Sequence, residues 1–133
     1  VYSPLARKGG VDILLSFEKL KTLRYLDFLK PDGIIIMNQE EIYPPAVNLG
    51  TMEYPVDMVD NLSDNFKNFF KLNANELASQ AGNLRAANTV MLGVVSKYIQ
   101  IEDSIWESVL RKSFPQKLVD LNIKAFRLGK EAS

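Results

Sequence analysis

The sequence predicts an α/β fold, three-layered, with a mainly parallel sheet and helices on both faces, incomplete on its N-terminal side. Three observations lead there. A short apolar run, a segment with helical periodicity and a second, β-branched run follow one another within about 27 positions, as in a strand–helix–strand unit with parallel strands. The C-terminal half carries helices apolar on nearly all sides, which need a sheet or another helix to cover them. The clear strands are also too few for that task, since a doubly wound sheet has about five.

Asp12-Ile13-Leu14-Leu15-Ser16 is apolar between polar ends and reads as a strand buried on both faces. From Phe17 onward Leu20, Leu23, Leu26 and Leu29 recur at near-helical spacing, predicting an amphipathic helix that Pro31 and the Asp32-Gly33 turn signal bring to an end. Ile34-Ile35-Ile36-Met37 is the second strand, stopping at Asn38-Gln39. Residues 39–63, with Pro44-Pro45, Gly50 and Pro55, read as a long excursion holding at most a short strand near Val56. Phe66, Phe69, Phe70 and Leu72 mark a further strand, after which Asn73 or Asn75 caps a short helix that ends near Gly82.

The stretch Leu84 to Ile99 is apolar all round and is expected to be a buried helix. Gly93 in its middle costs about 1 kcal/mol relative to alanine, so its place there implies the close approach of another backbone. Ile105, Trp106, Val109 and Leu110 mark an amphipathic helix begun by Glu102-Asp103. Leu118, Val119, Asn122, Ile123 and Phe126 mark a last one, after Pro115 and stopped at Gly129. The chain is read as a single domain over 1–133, the C-terminal portion of a larger α/β domain or one completed by another polypeptide. It opens with Val1 rather than Met, which leaves room for upstream sequence.

Composition narrows the chemistry. Sixteen Lys and Arg balance sixteen Asp and Glu among 133 residues, so nucleic-acid binding by bulk charge is excluded. Without cysteine there is no disulfide, no thiol nucleophile and no thiolate ligand for an iron-sulfur cluster; without histidine the commonest neutral-pH acid/base and metal ligand is gone. No metal site and no catalytic residue is assigned. Apolar runs fall far short of the roughly 20 residues that cross a bilayer, and no signal peptide is evident, so a cytoplasmic protein without a membrane partner is expected.

Ligands of open α/β sheets sit beyond the carboxyl ends of the strands. Ser16-Phe17-Glu18 and Asn38-Gln39 occupy those ends and fall side by side if the strands are parallel neighbours. Phe17, Glu18 and Asn38 could line a polar pocket; alternatively Ser16 caps the helix, Glu18 complements its dipole and Asn38 turns the chain. In Gly82-Asn83-Leu84-Arg85-Ala86-Ala87-Asn88, Asn83 is an N-cap and Arg85 falls in the first turn, where a cation opposes the helix dipole by roughly 0.3–1 kcal/mol. Helix stability did not select that arginine. Arg85 and Asn88 share a face, placed to hold a phosphate or carboxylate of a ligand or neighbouring chain, unless Arg85 is tied up in an internal ion pair.

Several segments together resemble a known family. They are Val1-Tyr2-Ser3-Pro4-Leu5, Asp12 to Glu18, Leu23-Arg24-Tyr25-Leu26, Leu29 to Gly33, Ile42-Tyr43-Pro44-Pro45, Tyr54-Pro55, Gly82 to Gly93 and Asn122 to Phe126. In order and spacing the sequence is similar to the smaller subunit of 2-oxoacid:ferredoxin oxidoreductases, the beta subunit of the indolepyruvate enzymes in particular, over nearly the whole chain. The resemblance implies an α/β domain of the gamma type, without the N-terminal strand and Gly-Gly-Gln-Gly turn usual in the family. It implies a non-cluster subunit of an arylpyruvate-type oxidoreductase that decarboxylates a 2-oxoacid, forms an acyl-coenzyme A and passes electrons to ferredoxin. Thiamine diphosphate and iron-sulfur clusters would belong to a large partner subunit, and coenzyme A would be used by the holoenzyme; no cofactor is expected on this chain alone. The isolated chain is expected to be inactive. Paralogues acting on pyruvate or 2-oxoglutarate, a stand-alone nucleotide- or acyl-binding module and an interaction domain are the alternatives.

Overall fold

The computed structural model describes residues 5–40, 49–50 and 66–132. The short strand expected near Val56 lies outside them. Contacts divide the chain into two compact units, Val1–Lys71 and Leu72–Ser133.

The first unit is built on a sheet of order β1-β2-β3, with β1 at Val11–Ser16, β2 at Leu29–Asn38 and β3 at Phe69–Leu72, whose last residue opens the second unit. β1 and β2 run parallel, Leu14 opposite Ile35 and Ser16 opposite Met37. They are joined by α1 (Lys19–Tyr25) and a 3₁₀ turn at Leu26–Phe28. The expected strand–helix–strand unit is therefore present. Leu29, Ile35 and Met37 form its core, packed by Val11 and Leu14 of β1, by Leu23 and Leu26 from the crossover, and by Phe66 and Phe69. β2 is central, and its run from Ile35 to Asn38 is buried; β1 is an edge strand, half-buried from Ile13 to Leu15 instead of covered on both faces.

The end of the first helix differs from the sequence reading. It stops before Leu29, and Pro31, Asp32 and Gly33 lie inside β2. Register shows why: from Val11 to Ile13 on one strand the partner advances from Leu29 to Ile34, so the proline and glycine form an irregular bulge. A Cβ on Gly33 would lie 2.5 Å from Leu29 Cδ1, so a side chain there would force the buried Leu29 side chain to shift. Asn68 holds it, its side-chain amide donating to the Asp32 carbonyl (3.3 Å) and its own carbonyl accepting from Ile35 N–H (2.8 Å).

The second unit is helical: α2 (Ala74–Ala81), a 3₁₀ turn at Leu84–Ala86, α3 (Ala87–Ser96), α4 (Asp103–Ser113) and α5 (Gln116–Ala132). Asn73 caps α2, its side chain accepting from Glu76 N–H. α3 is buried on most sides, as its composition requires, and ends at Ser96 rather than Ile99. Close backbone approach at Gly93 is observed, with α5. α5 itself runs on through Gly129, so that glycine is a second contact point and not a stop. The core beneath α4 is Leu110, Val119, Ile123 and Phe126, joined by Leu92, Trp106 and Phe114. Of the four apolar residues expected to bury α4, only Trp106 and Leu110 turn inward; Ile105 and Val109 are each 53% exposed.

Candidate functional site

The carboxyl ends of β1 and β2 come together as the parallel topology requires. Lys19 N–H, at the start of α1, donates to the Glu40 carbonyl just beyond β2 (3.0 Å), and the Asn38 side-chain amide donates to the Phe17 carbonyl (3.3 Å). Glu18, 4% exposed, is itself the N-cap of α1: its carboxylate accepts from Lys21 N–H at 3.0 Å. Ser16 is therefore not the cap. Its hydroxyl accepts from Thr22 Oγ1 (2.7 Å) and donates to the Glu18 carbonyl (2.8 Å), a short chain of buried groups that locks the strand end to the first turn of the helix.

A cleft of about 210 Å³ opens beside this junction, lined by Phe17, Glu18, Lys21, Tyr25 and Glu40 over Leu14, Leu15 and Ser16. Ligand pockets usually hold about 300–1,000 Å³, so this one takes a small group or the end of a longer molecule. Phe17 and Glu18 line it; Asn38 lies beneath, 2% exposed, spent on holding the Phe17 backbone. The roles differ from those of the alternative reading: Glu18 itself caps the helix in place of Ser16, and Asn38 bonds the Phe17 carbonyl rather than turning the chain. Lys21, Tyr25 and Glu40 were not singled out from the sequence. The signal for the first two was the helical period itself: Lys21 and Tyr25 follow Glu18 on one face of α1.

The second candidate group lies in the helical unit. Gly82 ends α2 at φ +127°, its N–H donating to the Ala78 and Ser79 carbonyls. Asn83 then caps the following turn, its side-chain oxygen accepting from Arg85 N–H at 2.9 Å. Asn83, Arg85 and Asn88 are all exposed, and among the described residues Arg85 makes no ion pair. Arg85 sits in the 3₁₀ turn that leads into α3 rather than in the α-helix proper. The internal ion pair weighed as its alternative role is not found among the described residues.

The donor set limits what these 133 residues can bind. Without cysteine or histidine they offer an iron-sulfur cluster no thiolate or imidazole, and among the described residues no three metal-binding side chains come together. No helix among those residues is long and apolar enough to cross a membrane.

The parallel β1–β2 pair, its connecting helix and the polar junction at its strand ends define a protein of the α/β class. Residues 1–132 match the family model for pyruvate ferredoxin/flavodoxin oxidoreductase, and the chain belongs to that family. It is 34% identical over 133 residues to indolepyruvate oxidoreductase subunit IorB of Archaeoglobus fulgidus, covering 97% of this chain and 66% of the relative. With the subunit of the same name from Thermococcus kodakarensis it shares 35% over 139 residues, 100% of this chain and 68% of the relative. The chain thus spans about two-thirds of the length of these relatives. Among solved structures, the gamma subunit of a keto/oxoacid ferredoxin oxidoreductase from Geobacter sulfurreducens has the same fold (TM-score 0.68, 24% identity, 93% of this chain and 64% of that one). So does a 2-oxoglutarate:ferredoxin oxidoreductase from Magnetococcus marinus, solved with 2-oxoglutarate, coenzyme A and succinyl-CoA bound (TM-score 0.66, 20% identity, 98% and 21%).

Proposed function

We propose that this chain is the non-cluster subunit of an arylpyruvate-type 2-oxoacid:ferredoxin oxidoreductase, acting on indolepyruvate or a close aromatic analogue. The supporting observation is the similarity to indolepyruvate oxidoreductase subunits along the whole chain, through both units. On this reading the two units together are one gamma-type domain, and the complex is cytoplasmic. Its large subunit holds thiamine diphosphate and the iron-sulfur clusters, since these residues supply no thiolate.

When bound by the complex, those groups and coenzyme A supply the decarboxylation, electron transfer to ferredoxin and acyl transfer. This chain's residues bind and position. Asn38 holds the Phe17 carbonyl and the Glu18 cap holds the Lys21 N–H, so both side chains spring from a fixed backbone at the cleft wall. Arg85, exposed and held by the Asn83 cap, offers a forked cation for a coenzyme A phosphate or for a carboxylate of the large subunit.

Recovery of the tagged chain from its native host tests the reading. A large subunit with thiamine diphosphate and the visible absorbance of iron-sulfur clusters should accompany it. The complex should reduce ferredoxin with indolepyruvate and coenzyme A in preference to pyruvate or 2-oxoglutarate. A chain recovered alone that still binds an acyl-coenzyme A would instead make it a stand-alone binding module. Arg85→Ala separates the two roles of the arginine: a raised KM for coenzyme A with the complex intact marks the phosphate, and loss of the large subunit marks the carboxylate.

A further inference from the structure

α4 carries an apolar stripe that its own unit leaves in solvent. Trp106 and Leu110 pack toward α5, where the Trp106 ring stands 5.7 Å from that of Phe126. The same side holds the ion pairs of Glu107 with Arg127 and of Asp103 with Lys130. The opposite side presents Ile105 and Val109, with exposed Ile101 just before the helix begins. Glu102 and Lys112 flank the two apolar residues, both exposed and neither in an ion pair among the described residues.

Glu102, Ile105, Val109 and Lys112 follow a spacing of three, four and three residues, that of the contact seam of paired helices. The seam is acidic at its start, apolar in the middle and basic at its end. It is also centred: Ile105 and Val109 each lie two residues from position 107, and Glu102 and Lys112 each lie five. A two-fold axis through that point, perpendicular to the helix, brings the Ile105 of one copy against the Val109 of the other. The same axis sets each Glu102 beside the opposing Lys112. Parallel pairing would place like charge on like.

We propose that a second copy of this chain docks antiparallel on the face formed by Ile105, Val109 and Lys112 of α4 with Glu102, its N-cap, about a two-fold axis at position 107. A face whose charges and apolar residues complement themselves under that rotation is the requirement of an isologous contact. One helix per copy falls below the roughly 1,600 Å² of a standard interface, so the pairing is weak and concentration-dependent, with its end charges setting orientation.

Sedimentation velocity of the full chain, alone and in the complex it is isolated with, over about a hundredfold range of concentration, tests this. A reversible doubling of the sedimenting species is expected. Glu102→Lys and Lys112→Glu should each weaken it about tenfold or more, because either change sets two like-charge pairs in the seam. Mixing the two variants one to one should restore the affinity, since every end pair is then opposite in sign. Glu102 caps α4 and Lys112 lies in its last turn, so each reversal also opposes the helix dipole, and the helical circular dichroism signal of each variant is the control that α4 persists. Three outcomes would overturn the proposal: no self-association at any concentration, a dimer indifferent to both reversals, or a mixture that fails to recover. Loss of a different co-purifying protein, without rescue by mixing, would assign the face to that protein instead.

Discussion

Gly93 and Gly129 mark the two points where α3 and α5 meet backbone to backbone. A Cβ at Gly93 would stand 2.0 Å from the Phe126 carbonyl oxygen, and one at Gly129 would stand 1.9 Å from that of Val90. Each glycine admits the carbonyl of the other helix, and neither carbonyl can retreat without moving its helix. Alanine at either position gains about 1 kcal/mol of helix propensity and loses more, since overpacking against rigid backbone lies at or above the upper end of roughly 1–3 kcal/mol. Gly93→Ala and Gly129→Ala are each expected to lower the urea midpoint clearly, and an unchanged or raised midpoint would show that the helices can part without loss.

The same pair of helices is also joined by a polar contact. Thr89 Oγ1 donates to Asn122 Oδ1 at 2.8 Å, and the Asn122 amide donates to the Leu118 carbonyl at 2.9 Å; both residues are buried. Thr89→Val strips the asparagine oxygen of its partner and should cost about 1–3 kcal/mol. The double variant Thr89→Val/Asn122→Leu removes both ends of that bond, so its loss should be smaller than the sum of the single losses. Denaturant unfolding of the four proteins of the cycle measures the difference.

These two helices also show what the residues disclose about the fold. Gly93 was legible, because a glycine amid buried apolar residues has few explanations other than close approach. Gly129 was not, because a glycine at a helix crossing and one at a helix end look alike until the partner is known. Pro31-Asp32-Gly33 deceived for the same reason: turn residues also build bulges, and register decides between them. The neighbourhood of Phe17, Glu18 and Asn38 followed from parallel topology alone, whereas the cleft beside them depended on where Lys21 and Tyr25 turn. Ile105 and Val109 had the period of a buried face, but periodicity does not say which chain buries it.

Lys30 and Asp12 span the irregular stretch of the β1–β2 pair at 2.6 Å. The hydrogen bond to the Asp12 carboxylate, and then its charge, raise the Lys30 ammonium above its ordinary value of 10.5. A cation with a raised folded pKa contributes stability that is complete below 10.5 and is lost as pH climbs through the folded value. Stability should therefore fall above pH 10.5, and Asp12→Asn should flatten that fall while changing little at neutral pH. The pair is exposed, so added salt should shrink the difference. Unfolding midpoints on either side of that pH, at low and high salt, test the sign.

Glu18 admits a sharper distinction, because its carboxylate both caps α1 and faces the cleft. Glu18→Ala removes the acceptor for Lys21 N–H and should cost about 1 kcal/mol, the usual toll of losing an N-cap. Glu18→Gln removes the charge but keeps an oxygen in the same place, so the cap can still form and stability should stay nearer the parent. If the carboxylate acts only by holding Phe17 and the helix start in place, the assembled oxidoreductase should keep its turnover with glutamine and lose it with alanine in step with stability. Equal loss of turnover in both variants, with the glutamine protein as stable as the parent, would mean that the negative charge itself meets a ligand in the cleft. Lys21→Ala then serves as the companion measurement: Lys21 is exposed and its backbone alone takes part in the cap, so a change in substrate KM without a change in stability would place that ligand against α1.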